Sequence, residues 1–258
     1  MALEHCVDCG YYHKYCGGCT AEQCASPKRR RQNLRMPCSN RLVNLPERWS
    51  GFESSTSGYY ADWHNLLLLF KSYVPTVLSG LQLKPSMRAL EIGVGSGKWS
   101  AAFALMEMQT VAMDYSSDIL MQARSNFPYI MFIPFKGDIR NPDVLQSFSA
   151  DYRTFYLVFS EGLLEHYTDP DEWARIVTNM GTFVLPGGYL ILIVPYMSPE
   201  PDEIRYTVPK FKREVMKWLP GFEVVRAIKL PVEIWGEHNE VLHNRFDILF
   251  VAQKKEAK

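Results

Sequence analysis

All six cysteines of this 258-residue chain lie in its first 38 residues, where they could bind a metal ion. Two Cys-x2-Cys pairs, Cys6/Cys9 and Cys16/Cys19, can each direct two thiolates at one ion. A disulfide framework usually accompanies secretion, and the first residues lack the basic start and apolar run of a signal peptide. We therefore predict a metal site, with zinc favoured over an iron–sulfur cluster. His5 or His13 could also contribute; the cysteine ligands are drawn from Cys6, Cys9, Cys16, Cys19, Cys24 and Cys38.

A basic run, Lys28–Arg31, follows the cysteines, with Arg35, Arg41 and Arg48 further on. Beside a Cys-rich segment such a run can bind phosphates, so RNA contact is one interpretation. A solvated linker is the other. The Ser- and Gly-rich residues 51–58 resemble a flexible connection, which predicts a Cys-rich segment over 1–50 and a main domain over 59–258.

A second candidate for ligand binding is a glycine-rich turn. Gly93, Gly95 and Gly97 follow the short apolar run Arg88–Ile92 and precede a helical pattern. Such a turn lies at the carboxyl end of a parallel strand, where open α/β sheets bind ligands. A dinucleotide-binding loop requires glycine at position 98, which is Lys98 here, so an oxidoreductase is disfavoured.

Two acids and one longer motif follow the next strand-like runs. Asp114 ends the run Gln109–Met113, where a carboxylate can accept hydrogen bonds from ribose hydroxyls. Asp138 follows the run Ile130–Pro134 and suits an adenine amino group. The motif over Ser160–Tyr167 follows the run Thr154–Phe159 and ends in Glu165, His166 and Tyr167.

The elements that must position these residues alternate between helix and strand. Helices are predicted over 62–77, Trp99–Met108, Ser117–Asn126 and Pro170–Val184, and a further strand over Gly188–Val194. Two last strands, Phe222–Leu230 and Phe246–Gln253, are joined by the loop Pro231–Asn244, which could shape a substrate pocket or bind a second metal. This pattern predicts an α/β fold, a doubly wound and mostly parallel sheet with an antiparallel C-terminal hairpin.

At these motifs the chain resembles the class I S-adenosylmethionine-dependent methyltransferases, over about residues 59–254. The run from Glu91 to Gly97 is similar to their first motif, and Leu185–Gly188 is similar to a late Pro-Gly-Gly turn. The resemblance implies a seven-stranded sheet and S-adenosylmethionine as cofactor. It implies that the cofactor contacts are Glu91, Gly93, Gly95, Gly97, Asp114, Asp138 and Ser160. Tyr60 resembles an aromatic residue that covers the cofactor from the N-terminal side, and packing is the other interpretation.

The resemblance also implies a catalytic position for Glu165 and His166, because the loop after the fourth strand faces the transferred methyl group. Either residue is a candidate general base; the alternative for His166 is that it only closes the cofactor pocket. The acceptor is a small molecule, or a protein or RNA presented to the Cys-rich segment. Amino methylation of DNA bases is disfavoured, because Ser160–Leu163 replaces the signature of those enzymes.

Composition limits the remaining alternatives. Lys and Arg total 28, as do Asp and Glu, so no overall charge attracts nucleic acid or membrane. No apolar run approaches the roughly 20 residues of a membrane span, and we expect a cytoplasmic protein. A non-catalytic module that binds the cofactor while its metal segment docks a partner is the alternative function.

Overall fold

The computed structural model describes residues 70, 73–141, 143–144, 153–167, 169–196, 206–235 and 241–256. For residues 232–235 and 241–245 it describes the backbone alone. The helices are α1 (Val74–Leu78), α2 (Lys98–Leu105), α3 (Ser117–Asn126), α4 (Pro170–Phe183) and α5 (Val208–Lys217). The strands are β1 (Arg88–Ile92), β2 (Gln109–Asp114), β3 (Ile133–Lys136), β4 (Phe155–Glu161), β5 (Val184–Pro195), β6 (Phe222–Trp235) and β7 (Val241–Lys254).

The seven described strands form one sheet in the order β3-β2-β1-β4-β5-β7-β6. The pairs from β3 to β5 are parallel, and β7 is antiparallel to both β5 and β6. This arrangement confirms the predicted α/β class and the seven-stranded, mostly parallel sheet with an antiparallel hairpin at its end. The chain order reverses between β1 and β4, so the carboxyl ends of these two strands flank a crevice suited to a ligand.

Helices cover both faces of the sheet, as a doubly wound fold requires. On one face α1, α2 and α3 bury Val77, Trp99 and Leu120 against the strands. On the other face α4 and α5 bury Trp173 and Phe211. The central strands are apolar on both faces because each face packs against helices, which explains runs such as Leu190–Val194.

The third strand lies further along the chain than predicted. The run Ile130–Pro134 was expected, but β3 covers Ile133–Lys136. The guanidinium of Arg124 in α3 donates to the carbonyl oxygens of Ile130 and Phe132 at 3.0 and 3.3 Å. These two residues are therefore tied to the helix before the chain begins to pair with β2.

The predicted loop Pro231–Asn244 is largely strand, so that prediction was wrong. The β6–β7 ladder continues from Pro231, paired with Phe246, to Trp235, paired with Val241. Proline is tolerated there because β6 is the last strand in the sheet order, and an edge strand can lack a donor on one side. The tip of the hairpin, residues 236–240, lies outside the described residues.

Two further elements differ from the sequence pattern. Strand β5 begins at Val184 instead of Gly188, and the expected Pro-Gly-Gly turn is an irregularity inside it, opposite Phe155–Leu157 of β4. Helix α5 was not predicted, although Pro209 in its first turn and the buried pair Phe211 and Val215 are helical signals.

Candidate functional site

The glycine-rich loop between β1 and α2 has the backbone that its sequence requires. Gly93, Gly95 and Gly97 have φ angles of +77°, +53° and +82°, a region that side chains other than hydrogen disfavour. The amide of Gly93 donates to the Met113 carbonyl of β2 at 3.0 Å, which fixes the loop to the neighbouring strand. At Gly95 an added Cβ would meet nothing within 4 Å, so the loop is open on that side.

Both ends of this loop pack closely against neighbouring segments. A Cβ on Gly97 would lie 2.8 Å from the Cβ of Ala123 in α3, and one on Gly93 would lie 3.2 Å from the side chain of Leu163. Gly97 therefore allows α2 and α3 to approach, and Gly93 allows the segment after β4 to cross the loop. These contacts bring β1 and β4 together at the carboxyl edge of the sheet.

Asp114, the last residue of β2, connects to the same loop. Its two carboxylate oxygens accept hydrogen bonds from the backbone amides of Val94 and Ser116, at 3.1 and 2.9 Å. Burial raises the pKa of Asp114 to about 6, although the amides of Ser116 and Val94 oppose that rise. The carboxylate thus has a fixed position at the edge where a ribose is expected.

Asp138 lies just beyond β3 and pairs with Arg140. The Arg140 guanidinium donates to both Asp138 oxygens at distances from 2.6 to 3.0 Å. Burial alone would raise the pKa of Asp138, but the side-chain and backbone hydrogen bonds from Arg140 lower it below the usual value. Arg140 also contacts Glu172 at 3.5 Å and lies over the Tyr167 ring. The Asp-x-Arg spacing was a signal for this pair that the sequence reasoning missed.

Glu91 is buried beneath the loop and is 2 % exposed. Its carboxylate accepts hydrogen bonds from the backbone amide of Ser100, at 2.7 Å, and from the Ser100 hydroxyl. Burial raises the pKa of Glu91 to about 8, so the neutral acid predominates at pH 7. The hydrogen bonds of Glu91 with Ser100 therefore connect β1 to the first turn of α2 on the buried side of the loop.

Glu161, at the end of β4, belongs to the site although the sequence reasoning did not assign it a role. Its Oε2 accepts hydrogen bonds from the Trp99 indole and from the Lys98 ammonium, both at 2.7 Å. Both donors lie in the first turn of α2, directly after the glycine loop. Two features of the sequence could have indicated this role: an acid directly after Ser160, and a lysine at position 98, where a dinucleotide-binding loop has glycine.

The remaining described candidates follow β4. The buried Ser160 hydroxyl donates to the Ile92 carbonyl at 2.9 Å, which holds the ends of β4 and β1 together. Glu165 and His166 are half-buried on the 3₁₀ turn Leu164–His166. One Glu165 oxygen lies 3.4 Å from the position that a Cβ on Gly162 would take. Both residues lie on the turn that follows the carboxyl end of β4, and their catalytic role remains a prediction.

Several predicted residues lie outside the described part of the chain. They are Tyr60, the basic run Lys28–Arg31 and the six cysteines Cys6, Cys9, Cys16, Cys19, Cys24 and Cys38. Among the residues that the structure describes, no group of three or more His, Cys, Asp or Glu side chains is placed to hold a metal ion. In the same part of the chain no helix is long and apolar enough to cross a membrane.

Comparison with known proteins identifies this architecture. Residues 89–188 match the family model described as a methyltransferase domain. A SAM-dependent methyltransferase from Methanosarcina mazei is 17% identical with a TM-score of 0.54, over 68% of this chain and 95% of its own. The described chain has the class I methyltransferase fold.

Two further solved structures show the same fold. The N-methyltransferase NodS from Bradyrhizobium japonicum, in complex with S-adenosylhomocysteine, is 15% identical with a TM-score of 0.53, over 86% of this chain and 98% of its own. A putative methyltransferase from Bacillus halodurans is 17% identical with a TM-score of 0.55, over 71% and 99%. No curated protein matches the chain in sequence.

The crevice of this methyltransferase fold fits S-adenosylmethionine chemically. The side of Gly95 is open, so a ligand can approach the backbone without meeting a side chain. The Asp114 carboxylate lies buried at the end of the neighbouring strand, and its role as an acceptor for sugar hydroxyls stays a prediction. A glycine-rich turn after one strand and an acid at the end of the next strand are the features with which open α/β sheets bind nucleotides.

Proposed function

We propose that this protein is a methyltransferase that transfers a methyl group from S-adenosylmethionine to a small molecule, or to a protein or RNA presented to residues 1–50. The observation that carries the proposal is the connection of Asp114 to the glycine loop through the Val94 amide. The sugar-binding acid and the backbone that approaches the ligand are thereby held as one unit. The methyltransferase-domain match over residues 89–188 supports this interpretation.

Most of the catalysis would come from positioning. S-adenosylmethionine supplies a methyl group that is already activated on a sulfonium, so the protein must mainly align the acceptor with it. Alignment of this kind can contribute roughly 7–11 kcal/mol to lowering a barrier. Here the glycine loop, Asp114 and the Ser160–Ile92 hydrogen bond would keep the crevice rigid while Glu165 or His166 takes a proton from the acceptor.

Residues 1–50 would supply the second part of the function. We propose that their cysteines bind one zinc ion, or an iron–sulfur cluster, and that Lys28–Arg31 contacts RNA phosphates. Elemental analysis of protein purified without chelator should then give about one equivalent of zinc, or the several iron atoms of one cluster, lost when Cys6 and Cys9 are replaced by Ser. Protein free of zinc and iron would contradict this part of the proposal and leave the methyltransferase part intact.

The methyltransferase activity is tested with cofactor labelled in its methyl group. Incubation of the full chain with labelled cofactor and cell extract should label an acceptor, and D114A should label it much less at a cofactor concentration near the Kd of the unaltered chain. With the acceptor in hand, E165Q or H166N should lower kcat by about 10²–10⁴-fold without changing cofactor affinity if that residue is the base. A protein that binds the cofactor but labels nothing would support the non-catalytic alternative.

A further inference from the structure

Glu161 is the last residue of β4, the strand that lies next to β1 and its glycine loop in the sheet. The sheet order places Asp138, Asp114, the glycine loop and Glu161 at the ends of four consecutive strands, β3, β2, β1 and β4. With adenine beside β3 and ribose beside β2, the rest of the nucleoside must extend over β1 and β4. This placement depends on the proposed function, because it takes S-adenosylmethionine as the ligand.

The Glu161 carboxylate is held by two donors rather than by one. Trp99 and Lys98 both donate to its Oε2 at 2.7 Å, and its side chain is only 15% exposed. A carboxylate with an indole and an ammonium as partners is held in a defined position. The same two donors join the end of β4 to the first turn of α2.

The neighbouring segments keep this carboxylate next to the glycine loop. Gly162 has a φ of +70° and its amide donates to the Ile193 carbonyl of β5 at 3.1 Å. Leu163 then packs on Gly93, within 3.2 Å of where a Cβ would be. The chain therefore turns directly after Glu161 and crosses the loop.

Glu161 also differs from the other acid at this junction. Glu91 is buried below the loop with a pKa raised to about 8, so it is mostly neutral at pH 7. Glu161 instead forms an ion pair with Lys98 at 2.7 Å. A ligand over β1 and β4 thus meets the field of Glu161, partly balanced by Lys98.

We propose that Glu161 is a specificity-determining residue that favours the positively charged sulfonium nucleoside over the neutral thioether formed from it. In the transfer, the bond between sulfur and methyl breaks, its electron pair stays on sulfur, and a lone pair of the acceptor forms the new bond. The sulfur loses its positive charge in that step. A carboxylate nearby therefore binds the donor more strongly than the product, which helps the product to leave.

A purely structural role makes a different prediction. If Glu161 only fastens β4 to α2, its loss should weaken both nucleosides by the same factor. If its charge discriminates between them, its loss and the loss of its counterion should change the ratio of the two affinities in opposite directions. The ratio therefore separates the two roles.

The test is isothermal titration of S-adenosylmethionine and S-adenosylhomocysteine, separately, into the full chain and three variants. E161Q keeps an oxygen for Trp99 and removes the charge; K98M leaves that charge unbalanced. E214Q is the matched control, because it removes a Lys217–Glu214 pair of 2.6 Å on α5, away from the crevice. The measured quantity is the Kd of the thioether divided by the Kd of the sulfonium.

We expect E161Q to lower this ratio roughly five- to tenfold, K98M to raise it, and E214Q to leave it unchanged. The effects of E161Q and K98M should shrink as salt is added. An equal effect of E161Q on both ligands, or a ratio that does not move in K98M, would overturn the proposal. If E161Q does not fold, the ratio measured for K98M tests the proposal. Failure of the unaltered chain to bind either nucleoside would instead contradict the proposed function.

Discussion

At the scale of single residues, Asp114 connects the glycine loop with the turn that leads into α3. One of its oxygens accepts from Val94 in the glycine loop and the other from Ser116, which begins the turn into α3. A carboxylate in this position can still accept hydrogen bonds from a ligand, since it offers about four acceptor sites. Its ability to do so depends on its charge, and therefore on pH.

The affinity for S-adenosylmethionine should fall below about pH 6. Burial raises the pKa of Asp114 to about 6, and the protonated form offers fewer acceptor sites to ribose hydroxyls. Each pH unit below that value should weaken binding by up to tenfold, because the proton must first be released. Calorimetric titrations from pH 5 to 8 measure this dependence.

The control for this prediction is D114N. It should bind the nucleoside more weakly at pH 8 and show no affinity step near pH 6. If the unaltered chain keeps a constant affinity over the whole range, or if D114N retains the step, a different group controls binding.

At the scale of elements, the start of helix α2 is held by contacts with α3 and with strands β1 and β4. Gly97 brings it against α3, Glu91 accepts from its Ser100 amide, and Glu161 accepts from Trp99 and Lys98. These contacts concern the helix start, where the first amides lack partners within the helix. The loop before it is thereby held in one conformation.

Replacement of Gly97 by Ala should destabilise the fold more than replacement of Gly95. In G97A the new Cβ would lie 2.8 Å from the Ala123 Cβ at a φ of +82°, which should cost about 2–4 kcal/mol of unfolding free energy. In G95A, with φ at +53° and open space around it, only about 1 kcal/mol is expected. Urea unfolding of both variants measures the difference, and equal losses would contradict the packing described for α2 and α3.

Replacement of Glu91 by Gln should reduce the loss of stability that the chain undergoes as pH rises from 5.5 to 8. The fold raises the pKa of Glu91 from 4.5 to about 8, so it binds this proton more tightly than the unfolded chain does. The stabilisation is present below pH 4.5 and is lost as pH rises through 8. Between pH 5.5 and 8, the unaltered chain should lose about 2–3 kcal/mol relative to E91Q in urea unfolding. If the free energy of unfolding changes equally with pH in both proteins, Glu91 does not have the raised pKa.

The elements also show what the sequence can predict. The bounds of β1 and α3 were predicted as the structure has them, since both have strong local signals: a short apolar run before glycines, and a Ser cap before a helical pattern. Strand β3 was misplaced because Arg124 holds Ile130 and Phe132, a tertiary contact without a local pattern. Strand β6 was shortened because Pro231 indicates a loop unless the strand is known to lie at the edge.

For the molecule as a whole, the site follows from the order of strands. The acids Asp114 and Asp138 and the glycine loop are separated in sequence but end adjacent strands, which a doubly wound fold predicts. The pairing of Asp138 with Arg140 and of Glu161 with Lys98 could not be predicted in the same way. Each depends on which side chains face one another once the helices are in place.

The most direct test of the account is titration of S-adenosylmethionine into the full chain and into D114A, with NAD as the competing nucleotide. We expect one equivalent of S-adenosylmethionine to bind the unaltered chain, a loss of well over tenfold in affinity in D114A, and no binding of NAD. Unchanged affinity in D114A would remove Asp114 from the site. The absence of binding, or a preference for NAD, would contradict the central claim.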